Sequence, residues 1–353
     1  MSVGKQRHTG ADLDPSFASD NVAGISPEIL DAVERANHGS ALPYGADAES
    51  TQLQQWAQQE FGPQAEIYPV FNGTGANVVA LQAVLPRWGA AICSAQAHVN
   101  NDEGAAPERL GAMKLLPRPS SEGKLAPEDI TEELGVQGFV HAAQPLAVTV
   151  TQSTELGTVY TPDEIRSIAD VAHAAGLAVH VDGSRLSNAA AALDCSLADT
   201  TAACGVDILS LGATKNGALA AEAVVVVNPE RVAGADYIRK FSMQLASKQR
   251  FLSAQLLALF GTDLWHRHAT HANEMAALLA ERLRQVPGVK VNPPSVNAVF
   301  PEVPTEVAER IQSRYLAHTW DTSASGQPVL RLMCSFATTG EEIDRLIAVA
   351  AGT

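Results

Sequence analysis

From about residue 60 onward, short apolar runs alternate with longer stretches of helical period. The runs Glu66–Phe71, Ala90–Cys93, Leu146–Thr151, Ala178–Val181, Ile208–Leu211 and Ala223–Val227 are nearly unbroken in apolar residues and read as buried strands. Helical stretches such as Pro162–Ala175 lie between several of them. Near-continuous apolar strands alternating with helices predict an α/β fold, with a mostly parallel sheet covered on both faces. Upstream, Ser26-Pro27-Glu28 predicts a helix start: a Ser cap, Pro at the first helical position and an acidic first turn.

The strand rhythm stops past residue 228. Phe251–Leu283 reads as a long helical region. Short strands at Val289–Asn292, Ala298–Pro301 and Val329–Cys334 follow, with helices at Val307–His318 and Glu341–Ala351. The pattern predicts a flexible arm over residues 1–15, a large domain over 16–250 and a smaller α+β domain over 251–353.

In open α/β sheets ligands bind beyond the carboxyl ends of the strands, so the residues just after each run carry the chemistry. Three such segments stand out. Asn72-Gly73-Thr74-Gly75-Ala76-Asn77 opens an apolar helix, where small residues and free N–H groups suit a phosphate. His180-Val181-Asp182-Gly183-Ser184-Arg185 places an aspartate where it can face a protonated ring nitrogen. Gly212-Ala213-Thr214-Lys215-Asn216-Gly217 places a lysine among small residues, where partial burial makes an amine nucleophilic and fit for Schiff-base chemistry. Each has a plain alternative: a strand-to-helix turn, a turn-capping Asp, a surface lysine. Their order along the chain favours the joint reading. A dinucleotide enzyme does not need the lysine, whereas a pyridoxal-phosphate enzyme needs all three. His98, just beyond the second run, is placed to stack on a cofactor ring or to shuttle protons.

Composition narrows the partners. The 353 residues are 46% hydrophobic and 18% charged, ordinary for a globular chain, and the net charge of −15 argues against nucleic acid. Cys93, Cys195, Cys204 and Cys334 form no CxxC pair and no metal-spaced cluster, so no metal site is expected. Residues 1–14 are polar, without the apolar core of a signal peptide, and no run reaches membrane-helix length. A soluble, cytoplasmic protein with no membrane partner is the expectation.

The motif set resembles the low-specificity threonine aldolases and phenylserine aldolases, fold-type-I pyridoxal-phosphate enzymes grouped with the β-eliminating lyases. The resemblance rests on FASDNVAG (17–24), PYGADAES (43–50), FNGTGAN (71–77), AHVNNDEGAAPE (97–108), TQSTELGTVY (151–160), HVDGSRLSNA (180–189), LGATKNG (211–217), SKQRFLSAQ (247–255) and VLRLMCSF (329–336). It implies a retro-aldol cleavage of threonine, allo-threonine or phenylserine to glycine and an aldehyde, in amino-acid metabolism. The resemblance also implies roles. Lys215 carries pyridoxal 5'-phosphate, with Thr214 beside it. Asp182 pairs with the pyridine nitrogen, and Arg185 bonds the ring oxygen and borders the substrate. Gly73, Thr74, Gly75 and Asn77 hold the phosphate end, and His98 stacks on the ring. Ser19 and Arg331 bind the substrate carboxylate. Tyr44, Lys248 and Arg250 reach in from a neighbouring subunit, so a homo-oligomer, dimer or tetramer, with active sites at the interface is implied. Many family members carry His where this chain has Glu155; Glu155 is the candidate at that place, and the general base is left open between it, His98 and a bound water. Ser184 and Ala213 replace a commoner Ala and Gly. Two other functions stay open: β-elimination or racemisation on the same scaffold, and a catalytically silent ligand-binding relative.

Overall fold

The computed structural model describes residues 13–120 and 122–353. Residues 1–12 of the expected arm lie outside the described residues; Asp14, at its end, pairs with Tyr315 in an isolated β-bridge. The chain forms two compact units. Gly24–His271 is one; Ala272–Thr353 together with the described residues up to Ala23 is the other. The stretch 251–271, grouped with the smaller domain in the sequence reading, belongs to the larger unit.

The larger unit is built on a seven-stranded sheet: β1 (Glu66–Val70), β2 (Gly89–Ser94), β3 (Lys114–Arg118), β4 (Gln144–Thr151), β5 (Ala178–Gly183), β6 (Ile208–Gly212) and β7 (Glu222–Val226). Their order is β1-β7-β6-β5-β4-β2-β3. The pairs β2–β3, β2–β4, β4–β5 and β5–β6 are parallel, while β7 runs antiparallel to both of its neighbours, β1 and β6. Strands β2, β5, β6 and β7 are buried along their whole length, as a sheet covered on both faces requires. Six of the seven strands were legible as apolar runs. β3 was not, because it is an edge strand, buried only at Leu115, and carries Pro117. An edge tolerates proline because one side of the strand has no ladder to complete.

Local chemistry sets the helix starts. In helix Pro162–Ala174, Thr161 Oγ1 accepts from the Glu164 N–H and the Glu164 carboxylate accepts from the Thr161 N–H, a reciprocal cap. Ser26 does not cap helix Pro27–Ala36 as its position suggested; its hydroxyl donates to Glu28 Oε2 at 2.7 Å. The helical region after residue 250 is two helices, Arg250–Phe260 and Leu264–Leu283. The core of this unit gathers Leu53, Ile92, Ile130, Val148, Tyr160, Ile165, Leu209, Val225 and Leu256.

The smaller unit holds a three-stranded antiparallel sheet, β8 (Ala298–Val299), β9 (His318–Thr322) and β10 (Pro328–Met333), in the order β8-β10-β9. β9 is exposed at every position, so no alternation marked it, and the helix expected through His318 is Thr305–Gln312. Val289–Asn292 is not a strand; Lys290 makes only an isolated bridge to Glu302. Phe17, Leu279, Leu283, Ile311, Leu330, Leu332, Ile343 and Leu346 form this unit's core. Among the described residues, no helix is long and apolar enough to cross a membrane.

Candidate active site

Strands β1, β2, β4, β5 and β6 run in one direction, so the segments after them share one edge of the sheet. Antiparallel β7 begins at that edge: its first residue, Glu222, is level with Gly212 and with Val70.

After β1, Asn72 caps helix Gly73–Val84, its Oδ1 accepting from the Gly75 N–H at 2.7 Å. Gly73 and Thr74 are partly exposed at the first turn. Gly75 is packed differently. A Cβ there would meet the Gln244 side chain at 2.3 Å, and Gln244 Oε1 accepts from the Phe71 N–H at 2.9 Å. The small residue thus lets Gln244 hold the strand end.

At the end of β5, Asp182 is only 2% exposed. Its Oδ1 accepts from the Ser184 N–H at 3.1 Å and the Ser184 hydroxyl at 2.6 Å; its Oδ2 accepts from Asn77 Nδ2 at 3.0 Å. Burial by itself would push the carboxyl up. The Ser184 hydrogen bonds, the Lys215 charge and the Asn77 amide outweigh it and hold Asp182 below the usual carboxylate range. A buried charge is being kept, which requires neighbours arranged for it. Two glycines pack the strand ends tightly. A Cβ on Gly183 would lie 2.7 Å from the Ser210 carbonyl oxygen, and one on Gly212 would lie 2.6 Å from the Ser184 backbone. Arg185 is buried immediately before helix Leu186–Leu193.

After β6, Lys215 lies in a one-turn helix, Thr214–Asn216, and is half-buried. Gly217 closes the turn at φ +112°, backbone that suits glycine. After β2, His98 begins a short helix, and its Nδ1 lies 2.9 Å from Glu103 Oε1. The Glu103 hydrogen bond raises the imidazole's proton affinity; burial opposes it, and the charges of Asp182, Glu155 and Glu103 add to it. Glu103 also accepts from Asn77 Nδ2 at 2.7 Å. One amide therefore joins Asp182 to Glu103, and through Glu103 to His98. Glu155, in the loop after β4, is partly buried, and its charge acts on His98.

Gly73, Thr74, Asn77, His98, Glu155, Asp182, Arg185, Thr214 and Lys215 thus all follow strands ending at this edge. Tyr44, Lys248 and Arg250 lie where segments 38–44 and 247–250 meet. The Tyr44 N–H donates to the Ser247 carbonyl, and Arg250 donates to the carbonyls of His38 and Gly39. Ser19 and Arg331 belong to the smaller unit. Ser19 Oγ accepts from the Asn21 N–H, and the Arg331 guanidinium stands 5.1 Å from the Trp320 ring centre.

Sequence reasoning gave no role to Glu103, His180 or Glu222. His180 is fully buried between Thr149 and Ser210, with Nδ1 and Nε2 at 2.8 Å and 3.0 Å from their hydroxyls. Glu222 accepts from the Ala213 N–H at 2.5 Å. A signal existed for the last: a charged residue opening an otherwise unbroken apolar strand.

The edge combines a buried carboxylate kept ionised, an amine within its field, an imidazole backed by a second carboxylate, and a helix start with two partly exposed small residues. Such a set can hold a cationic ring nitrogen, a phosphate and a carbonyl carbon at once. Comparison with known proteins agrees. The family described as "Beta-eliminating lyase" matches residues 16–306. A low specificity L-threonine aldolase of Pseudomonas sp. (strain NCIMB 10558) is 38% identical over 340 residues, 96% of this chain and 97% of that protein. One from Pseudomonas aeruginosa is 40% identical over 333 residues, 94% of this chain and 95% of that one. The solved structure of a Leishmania major threonine aldolase superposes with a TM-score of 0.88 at 28% identity, covering 94% of this chain and 97% of that one.

Proposed function

The chain belongs to the beta-eliminating lyase family, and we propose that within it this protein is a pyridoxal-phosphate-dependent carbon–carbon lyase. It cleaves L-threonine, L-allo-threonine or a related β-hydroxy-α-amino acid such as phenylserine to glycine and an aldehyde. The observation that carries this reading is the pairing of Asp182 and Lys215 at neighbouring strand ends, one a buried carboxylate held ionised and the other a half-buried amine acting on it.

The residues fit the cofactor. A buried carboxylate held by Ser184 and Asn77 suits a protonated pyridine nitrogen, and the partly exposed start of helix Gly73–Val84 suits its phosphate. Lys215 would hold the cofactor through its amine. When bound, pyridoxal phosphate supplies the electron sink for the breaking Cα–Cβ bond. Asp182 keeps a proton on the ring nitrogen. Asn77 fixes the Asp182 carboxylate and ties it to Glu103. His98, oriented by Glu103, would stack on the ring and could hold a proton there. Arg185, buried beside Asp182, would be the ring-oxygen partner. The Glu155 charge favours the protonated form of His98, and the base is Glu155, His98 or a bound water.

The protein acts as a homo-oligomer whose subunits complete each other's sites with Tyr44, Lys248 and Arg250. An exposed apolar group supports this: Leu42, Tyr44, Tyr237, Phe241 and Met243 are each at least half exposed, and Lys240 lies over the Tyr44 ring. A reducing, cytoplasmic setting is supported by four free cysteines, three of them buried.

The test is a product assay on purified protein with threonine, allo-threonine and phenylserine of both hands. Equal amounts of glycine and aldehyde are expected. Ammonia and an oxo acid in their place would make the protein an eliminating lyase and overturn the aldolase reading.

A further inference from the structure

Glu222 is a buried carboxyl for which the proposed reaction has no part. It is 7% exposed and opens β7, the antiparallel strand of the sheet, so it stands at the edge where the parallel strands end. Its Oε2 accepts from the Ala213 N–H at 2.5 Å. Ala213 begins the one-turn helix that carries Lys215, and an alanine has no side chain with which to cap it. The Thr214 hydroxyl, next along the turn, donates to the Ala221 carbonyl at 3.4 Å, one residue before Glu222. A residue seven positions beyond Lys215 in sequence thus supplies an acceptor that the start of this turn lacks.

A neutral side chain would serve equally well as an acceptor, so the ionisable group needs another reason. At the level of Glu222 on β1 and β6 stand Val70 and Gly212. The loop leading into β7 is held by Gln255, whose Oε1 accepts from the Leu219 and Ala220 N–H groups. The Lys215 charge favours the ionised form of Glu222 and that of Asp182 on β5 alike. Burial raises the Glu222 carboxyl more than the Ala213 hydrogen bond, Thr214 and the Lys215 charge lower it, and the balance leaves it at about 7. It therefore changes charge close to neutral pH, unlike an exposed glutamate.

Resting on Lys215 as the cofactor lysine, we propose that Glu222 is a positioning residue, its carboxyl holding the Ala213–Thr214 turn that presents Lys215 and serving as the counter-charge of that amine. Ionised Glu222 favours the ammonium form of Lys215; neutral Glu222 favours the free amine. Asp182 supplies the fixed charge of the site and Glu222 the variable one.

The test reads Lys215 itself. In cofactor-free protein, the rate of acetylation of Lys215 is followed against pH by peptide mass spectrometry. Glu222→Gln keeps an acceptor for the Ala213 N–H and removes the charge; its acetylation midpoint is expected about one pH unit below wild type. Glu222→Asp keeps the charge, and its midpoint is expected to stay with wild type while cofactor half-saturation weakens several-fold. In the cofactor-loaded enzymes, the midpoint of the absorbance titration moves in the same sense. Coincident midpoints in wild type and Glu222→Gln overturn the proposal, as does an Asp variant shifted as far as the Gln variant is expected to be. If Glu222→Gln does not fold, the Asp variant decides alone by that criterion. Failure of wild type to bind pyridoxal phosphate would sink the proposed function instead, and the acetylation profile would still be readable.

Discussion

His180 makes acid stability a sharp test of how the sheet centre is built. It lies on β5 two residues before Asp182, fully buried, with its ring nitrogens against the hydroxyls of Thr149 and Ser210. Either hydroxyl can donate or accept, so a neutral ring is satisfied in either tautomer. A charged ring is not, because burial disfavours the cation more than the nearby Asp182 carboxylate favours it; the imidazole is pushed down from 6.5 to about 4. The folded value is the depressed one, so the unfolded chain takes up the proton first. Stability from this group is complete at neutral pH and is lost as pH falls from about 6.5 to about 4. Each pH unit of that interval is worth about 1.4 kcal/mol, which makes the full loss roughly 3 kcal/mol, and roughly 2 kcal/mol of it falls between about pH 7 and pH 5. The perturbation is His180→Gln, whose amide can meet both hydroxyls and does not titrate. Urea unfolding of the cofactor-free protein at a series of pH values measures both chains. Wild type is expected to lose roughly 2 kcal/mol relative to the variant over that interval. Parallel stability curves would refute the reasoning, since they would mean that His180 charges equally well in both states.

Three further outcomes follow from the site. Asp182→Ala is expected to retain cofactor while losing at least about a hundredfold in turnover, because the ring nitrogen loses its counter-charge; unchanged kinetics would remove Asp182 from the mechanism. Glu103→Gln should lower the His98 titration, followed by NMR, because the Glu103 hydrogen bond is the main cause of its elevation; an unmoved titration would show that Glu103 does not set that imidazole. Gly212→Ala places a methyl 2.6 Å from the Ser184 backbone and should destabilise by about 1–3 kcal/mol. Gly24→Ala, with nothing within 4 Å of the added carbon, is its control. Equal thermal midpoints for the two would contradict the tight packing at the strand ends.

The sequence carried the centre of the sheet well and its edges poorly. Buried parallel strands must be apolar on both faces, so β1, β2 and β4–β7 were visible as runs. β9 is exposed throughout and β3 is buried only at Leu115, and without a buried face the pattern that would have marked them is lost. The site shows the same division. Lys215, Asp182 and Gly73 were legible because they sit directly after legible strands. Glu103 and His180 were not singled out, because their importance lies in partners far along the chain: Asn77 for one, Thr149 and Ser210 for the other. Glu222 needed the strand order as well. Only the antiparallel course of β7 brings its first residue to the edge where Lys215 emerges.

The central claim is that Lys215 carries pyridoxal phosphate, and borohydride reduction of the loaded enzyme followed by peptide mass spectrometry tests it most directly. Reduction makes the carbon–nitrogen link permanent and marks the lysine that holds it. The account predicts one modified peptide, with the phosphopyridoxyl mass on Lys215, and none in Lys215→Ala. Modification of another lysine in its place, or an unmodified Lys215 in active enzyme, would contradict it.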